Sequence, residues 1–196
     1  MDTWESLRGE CLRCKKCALA ERRQNVVFSV GAEDARILLV GEGPGRHEDE
    51  QGVPFVGRAG ELLDDMLAII GLHRGNVYIA NTVKCRPPEN RDPLDEEKRM
   101  CRGWLDRQMA MLRPKIVICL GRHAAKELIR EEFRISDEHG QWFEKDGVFY
   151  TAVYHPAALL RNESLCPSTF LDMKEIQRKI REVCPEVLEG WIPGAF

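Results

Sequence analysis

Four apolar runs, at 37–41, 77–81, 116–120 and 148–153, punctuate the chain. Each spans five or six residues, is rich in Val, Ile or aromatic side chains, and predicts a β-strand. Apolar residues recur at helical spacing over 59–70, 94–112, 123–132 and 169–183. Near-continuous apolar strands alternating with amphipathic helices predict an α/β fold. The expected architecture is three-layer α/β/α around a central, mostly parallel four-stranded sheet. Residues 1–30 read as an N-terminal arm, helical and then cysteine-rich, that docks on the sheet. The polar segment 136–147 predicts a loop with a short hairpin arm. No internal repeat or interdomain linker interrupts the 196 residues, so 1–196 is expected to form one domain.

The first predicted strand runs directly into GEGPGRHEDEQGVPFVGRAG, residues 41–60, and then into a helical segment. Strand, loop and helix in that order put the loop at a strand's carboxyl end, where open α/β sheets bind ligands. The loop mixes glycines and two prolines with four acidic residues and one aromatic, Phe55. That composition suits a tight pocket for a small planar group better than a plain turn.

A net charge of −3 provides no global basic field, so any nucleic-acid contact must come from local patches. No apolar segment approaches the ~20 residues that span a bilayer, and the start, MDTWESLRGE, lacks the features of a secretory signal. The expected location is the cytoplasm. In a reducing compartment, eight cysteines read as metal ligands and buried thiols, not as a disulfide framework.

Three of those cysteines, Cys11, Cys14 and Cys17, fall within seven residues among lysines and arginines. Cys85 follows the second predicted strand, and Cys101 lies fifteen intervening residues later, in a helix. Two close thiols and two distant ones enclose a soft-ligand site, with Cys14 and Cys17 the preferred pair and Cys11 a spare. Four thiolates suit zinc and an iron–sulfur cluster about equally. Cys119, within an apolar strand, reads as an ordinary buried thiol.

After the last predicted strand comes Tyr154-His155-Pro156-Ala157-Ala158-Leu159-Leu160-Arg161-Asn162. Pro156 turns the backbone sharply away from the strand just after His155. Two adjacent leucines beside Arg161 suggest a wedge between stacked bases with an arginine on phosphate. A short buried helix starting at the leucines is the simpler local reading.

Together these segments resemble the family 4 uracil-DNA glycosylases, the iron–sulfur branch of the uracil-DNA glycosylase superfamily. Four blocks carry the likeness: Cys14-Lys-Lys-Cys17-Ala-Leu19; GEGPG with Glu48-Asp49 and then GVPFVGRAG; YIANTVKCRPPENRDP; and HPAALLRN. The glycine-rich loop fits neither nucleotide pattern, because Arg46 breaks G-x-G-x-x-G and no Gly-Lys-Ser/Thr follows.

The resemblance implies a monofunctional glycosylase that starts base excision repair by hydrolysing the N-glycosidic bond of a flipped-out uracil. It implies that Phe55 stacks on uracil, that Asn81 pairs with its O4 and N3–H, and that Gly41 and Gly43 bring loop backbone to the base. His155 would donate a hydrogen bond to O2 as the departing base becomes an anion. In the family 1 branch an aspartate of a related loop orients the attacking water. Gly43 stands at that place here, which leaves Glu42, Glu48 and Asn90 as candidates. Gly45 stands where family 1 has a tyrosine that blocks thymine, so Glu48 has a second candidate role in excluding the methyl group. Leu159, Leu160, Arg161, Arg86 and Arg91 would meet DNA, and Lys84 is a further candidate cation. The resemblance also implies a [4Fe–4S] cluster on Cys14, Cys17, Cys85 and Cys101, with a structural role. The expected partner is uracil-containing DNA, single- or double-stranded, with a sliding clamp conceivable near either terminus and a monomeric state.

The alternative is an iron–sulfur or zinc protein that binds nucleic acid or carries electrons without glycosylase activity. That reading leaves Phe55, Asn81 and His155 unexplained together. A superfamily relative trapped covalently on abasic DNA would carry a basic insert after the glycine-rich loop. Here 54–60 runs without one.

Overall fold

The computed structural model describes residues 3–191. In chain order the helices are α1 (Trp4–Leu12), α2 (Arg46–Gln51), α3 (Arg58–Ile69), α4 (Asp95–Leu112), α5 (Arg122–Leu128), α6 (Ile135–Glu138), α7 (Pro156–Arg161) and α8 (Cys166–Val183). The strands are β1 (Val30–Gly31), β2 (Ile37–Gly41), β3 (Tyr78–Asn81), β4 (Ile116–Leu120), β5 (Phe143–Lys145) and β6 (Val148–Val153). They form one sheet in the order β1-β3-β2-β4-β6-β5.

The four expected strands are its centre, and β2 pairs in parallel with both β3 and β4, as β4 does with β6. The sheet has six strands, not four. A two-residue β1 and a three-residue β5 add antiparallel edges. Both are too short to show the alternation that marks a strand. β5 supplies the hairpin arm expected within 136–147.

The apolar runs are continuous because both sheet faces are covered. Ile37, Leu39, Ile79, Ile116, Ile118 and Val153 point to one side, against Leu63 and Leu67 of α3 and Met173, Ile176 and Ile180 of α8. Leu38, Val40, Ala80, Val117, Cys119 and Ala152 point to the other, against Leu105 of α4 and Ala124, Ala125 and Leu128 of α5. A third apolar cluster joins Leu7 and Cys11 of α1 and Leu19 to Val83, Cys85, Cys101 and Trp104. It fixes the N-terminal arm to the edge of the sheet domain. Thr3 starts α1 by accepting the Ser6 N–H through its hydroxyl, a reciprocal cap. At the start of α4, Glu97 accepts the Leu94 N–H at 2.8 Å.

The two leucines after His155 divide. Leu159 is 3% exposed and Leu160 42%. Leu159 belongs to the core beside α3 and α8, so the pairing of both leucines as a DNA wedge is corrected. The helical spacing of α7 turns adjacent side chains about 100° apart, and only Leu160 faces outward. Leu159→Ala is expected to cost about 2–5 kcal/mol of stability by opening a core cavity. Leu160→Ala should stay within about 0.5 kcal/mol. Thermal or urea unfolding of the two variants checks both expectations.

Candidate active site and cysteine cluster

Four parallel strands end on one side of the sheet, and each delivers a residue to a cleft of about 740 Å³ or its wall. β2 ends at Gly41, β3 at Asn81 and β4 just before Gly121, while β6 is followed by Tyr154 and His155. The β2–β3 ladder extends past the strands. Thr82 N–H donates to the Gly41 carbonyl at 2.9 Å and Val83 N–H to the Glu42 carbonyl at 3.0 Å. The Thr82 hydroxyl adds a 2.6 Å bond to that same carbonyl. This pins the start of the glycine-rich loop.

Gly41 must be glycine. A Cβ there would lie 2.4 Å from Asn81 Oδ1 and 2.7 Å from Phe55 Cζ. The loop backbone thus lets the amide and the ring share one wall. Asn81 is buried, yet its side-chain oxygen has no hydrogen-bond partner among the described residues. A buried, unsatisfied acceptor normally costs ~1–3 kcal/mol. At the rim of a cleft it becomes a point of recognition for an incoming N–H.

Phe55 holds a left-handed backbone, φ 55°, which is strained for a non-glycine residue. Its surroundings enforce that conformation. Arg74 donates to the carbonyls of Pro54, at 3.1 Å, and Phe55. Glu48 Oε1 accepts the next two backbone N–H groups, of Val56 at 2.9 Å and Gly57 at 3.1 Å. At Gly60, a Cβ would lie 1.9 Å from the Phe55 carbonyl oxygen, so the first turn of α3 can pass there only with glycine. The Phe55 ring then stacks beside His155, with centroids 5.6 Å apart and planes 29° apart.

His155 caps α7. Its Nδ1 accepts the Ala157 N–H at 3.1 Å, and Pro156 takes the first helical position. An accepting Nδ1 places the proton on Nε2 of the neutral ring. Burial, helped by the nearby Arg161 charge, lowers its pKa to about 4. The imidazole is therefore a neutral donor at physiological pH.

Glu42 lines the cleft with Oε1 lacking a hydrogen bond among the described residues. Burial, then repulsion from Asp92, raises its pKa to about 7. His123 Nε2 lies 3.5 Å from Glu42 Oε1 and 3.3 Å from Asp92 Oδ2. His123 and Asp92 were not anticipated from the sequence. The usable signal was position, because His123 follows the carboxyl end of β4 as His155 follows that of β6.

The remaining expected residues are placed as follows. Glu48 is anchored through Oε1, while Oε2 is the atom that a Cβ on Gly45 would meet, at 2.7 Å. Asn90 is exposed, and its Oδ1 accepts from Arg86 at 2.7 Å. Arg91 makes a two-pronged pair with Glu97, at 2.9 and 2.7 Å. Gly43 lines the cleft and Arg161 stands exposed at its edge. Lys84 does not face solvent at all, and its placement among candidate phosphate contacts is corrected. Its ammonium is buried against Asn81 and Gln108, and desolvation lowers its pKa to about 8. Asp49 is also buried and accepts the N–H groups of Gln24 and Asn25.

The cysteines gather behind β3. Cys14 and Cys17 come from the arm, Cys85 follows β3 and Cys101 lies in α4; all pack in one cluster with Cys11 and Trp104. All eight cysteines are free. Nitrogen donors approach three of the four sulfurs. Arg23 reaches Cys85 Sγ at 3.2 Å, Lys84 N–H reaches Cys101 Sγ at 3.2 Å, and the Trp104 indole reaches Cys14 Sγ at 3.4 Å. Burial raises the Cys101 thiol to about 11 and the Cys11 thiol to about 12. Donors aimed at sulfur in a buried soft-ligand set fit a bound metal centre. A single zinc would draw four sulfurs to within ~3.8 Å of one another, given Zn–S near 2.3 Å. Among the described residues no three of these sulfurs lie within 4.8 Å of one another.

Comparison with known proteins agrees with this geometry. Residues 28–181 match the family model described as the uracil DNA glycosylase superfamily. A type-4 uracil-DNA glycosylase of Archaeoglobus fulgidus is 45% identical over 192 residues, covering 94% of each chain. One from Sulfurisphaera tokodaii is 41% identical over 90% of this chain and 84% of its own. One from Thermotoga maritima is 42% identical over 78% of this chain and 80% of its own. The chain belongs to the uracil-DNA glycosylase superfamily, in its type-4 branch.

Proposed function

We propose that this protein excises uracil from DNA by hydrolysing the N-glycosidic bond, leaving an abasic site for base excision repair. The observation that carries this reading is the convergence of Asn81, Phe55 and a neutral His155 in one cleft. A flipped-out base can enter such a cleft, and a base in the duplex cannot. The unpartnered Asn81 oxygen suits the uracil N3–H, and its NH2 suits O4. Cytosine offers an unprotonated nitrogen and an amino group there, so a fixed amide rejects it. Phe55 supplies the flat apolar wall.

As the bond breaks, the sugar becomes cation-like and uracil leaves as an anion. His155 Nε2–H donates to O2 as the charge grows there, with no proton transfer required. Glu42 is the water-orienting residue in this reading, because it lines the cleft and its Oε1 has no hydrogen bond among the described residues. Asn90 is exposed and engaged by Arg86. Glu48 holds the Phe55 turn and fills the space beside Gly45, which supports its role against thymine's methyl group. Leu160 is the wedge, and Arg86 and Arg161 are the phosphate contacts. Arg91, tied to Glu97, serves the loop that carries Arg86.

Cys14, Cys17, Cys85 and Cys101 would hold a [4Fe–4S] cluster. When bound it supplies a structural cross-link between the arm, the loop after β3 and α4. Residues 1–196 would then act as one domain and as a monomer in the cytoplasm, in keeping with free thiols. Among the described residues no helix is long and apolar enough to cross a membrane. A sliding clamp is the proposed protein partner near a terminus; the tail at 192–196 lies outside the described residues.

Base release from a labelled oligonucleotide tests the activity. After alkali, cleavage is expected at uracil and not at thymine, reduced ~10²–10³-fold by His155→Ala. No cleavage by brown, cluster-loaded protein would remove the enzyme assignment in favour of a binding or redox role. The pH dependence separates the two titrating groups. Neutral His155 persists down to about pH 4, so no activity should be lost near pH 6.5 on its account. Glu42 loses its proton around pH 7, so kcat/KM should rise with pH through about 7 and level above it. Glu42→Gln should be slower and lose that rise; a variant that kept it would assign the titration elsewhere. Cys85→Ala is expected to lose sulfur-to-iron absorption and most activity, and a colourless but fully active variant would refute the structural role of the cluster.

A further inference from the structure

Neither Arg74 nor Asp64 lines the cleft. Arg74 lies in the turn between α3 and β3, and its guanidinium makes three bonds. Nη1 donates to the Pro54 carbonyl at 3.1 Å and Nη2 to the Phe55 carbonyl. Nε donates to Asp64 Oδ1, on α3, at 2.8 Å. The turn that carries Arg74 is itself pinned. Asn76 Oδ1 accepts the His73 N–H at 2.8 Å, and its NH2 donates to the carbonyls of Gly71 at 3.2 Å and Val187 at 3.3 Å. Gly60 of α3 leaves no room for the Phe55 carbonyl to retreat.

A planar fork that holds the carbonyls of residues 54 and 55 together fixes the two torsions between them, φ and ψ of Phe55. That residue is the one held at φ 55°, in the left-handed region. Released, a phenylalanine returns to negative φ. The ring then leaves its place against Gly41 and beside His155.

We propose that the Arg74–Asp64 pair is a remote positioning device for the base-stacking ring, so that Arg74 sets uracil affinity and turnover through Phe55 without touching the base. This deepens, and rests on, the reading of the cleft as a uracil site. With Arg74 gone, Glu48 still holds the Val56 and Gly57 N–H groups, so the loop loosens without coming apart. A shift of ~1 Å in a group that orients a substrate can cost ~10²-fold in rate. Lysine offers a compact ammonium and not a fork, so it cannot hold both carbonyls and Asp64 in one plane.

The test uses full-length protein purified without oxygen. The forms compared are wild type, Arg74→Lys, Arg74→Ala, Asp64→Asn, Phe55→Ala and the Arg74→Ala/Phe55→Ala double variant. Circular dichroism and thermal unfolding check folding. The rate constant for uracil release is measured with enzyme in excess, which keeps slow variants in range, and inhibition by free uracil is measured beside it. Arg74→Ala should slow release ~10- to 100-fold and weaken inhibition by free uracil. Arg74→Lys should recover part of both. Asp64→Asn leaves the carbonyl contacts in place and should lose less than Arg74→Ala. The deciding arm is the double variant. Because Arg74 acts through the ring, adding Arg74→Ala to Phe55→Ala should cost no more than ~2-fold. A full, additive loss there would place the effect of Arg74 elsewhere and overturn the proposal, as would wild-type rates in Arg74→Ala. Failure of both Arg74 variants to fold would make Arg74 a folding element and overturn it too. Absence of uracil release by the wild type would show before any variant is compared. That result sinks the uracil reading itself, and the inference with it.

Discussion

The hydrogen bonds that carry the β2–β3 ladder beyond its strands constrain everything around the cleft. Thr82 and Val83 grip the carbonyls of Gly41 and Glu42. That register sets Gly41 against Asn81, and only then can Phe55 close over both. A shift of one residue would turn Asn81 to the other sheet face, because side chains alternate along a strand. The strained turn at Phe55 is tolerable because Arg74, Glu48 and Gly60 over-determine it. The strain and its restraints lie on one loop, so the recognition wall is rigid before any base arrives.

Electrostatics in the cleft favour withheld charge. His155 is neutral because it is desolvated and because its Nδ1 already accepts the Ala157 N–H. Burial and the proximity of Asp92 push the Glu42 carboxyl up to about 7. In the proposed reaction a neutral donor at O2 would avoid the cost of desolvating an imidazolium when the cleft is empty, yet strengthen as negative charge appears on the base. Exposed arginines, Arg122 and Arg161 among them, line the cleft, and in the proposed reading a phosphate contact at Arg161 would require little desolvation.

The four central strands, the long helices and the arm's helix were legible because apolar periodicity reports burial, and these elements bury full faces. The two edge strands were not, since two or three residues make no period. The helix α2 was hidden within a glycine-rich loop, where six residues make too short a period to show, and its Asp49 is a buried tether. Lys84 was misread for a similar reason. A lysine beside arginines and a cysteine suggests a surface patch, and only the fold shows that β3 carries it inward to Gln108. Asn81, Phe55 and His155 were named through family likeness, and the fold brings them together. Arg91 was named too, but its side chain is committed to Glu97. Composition gave no means of telling an arginine that meets phosphate from one that holds a helix start.

The arm and the cleft are joined by more than the cysteines. Asp49 of α2 accepts two backbone N–H groups of the arm, and Asn25 donates to the Asp49 carbonyl at 2.8 Å. Val27 N–H donates to the Lys84 carbonyl at 2.8 Å, and Arg23 reaches both Cys85 and the Cys14 carbonyl. Residues 23–27 therefore touch the glycine-rich loop on one side and the cysteine cluster on the other. Glu48, which holds the Phe55 turn, precedes Asp49 in the same short helix. Order at the cysteines and order at Phe55 thus depend on the same five residues of backbone. A cluster held by these cysteines, as proposed, would support chemistry in front of β3 without exchanging an electron, because it would fix the segment against which the pocket loop is tied.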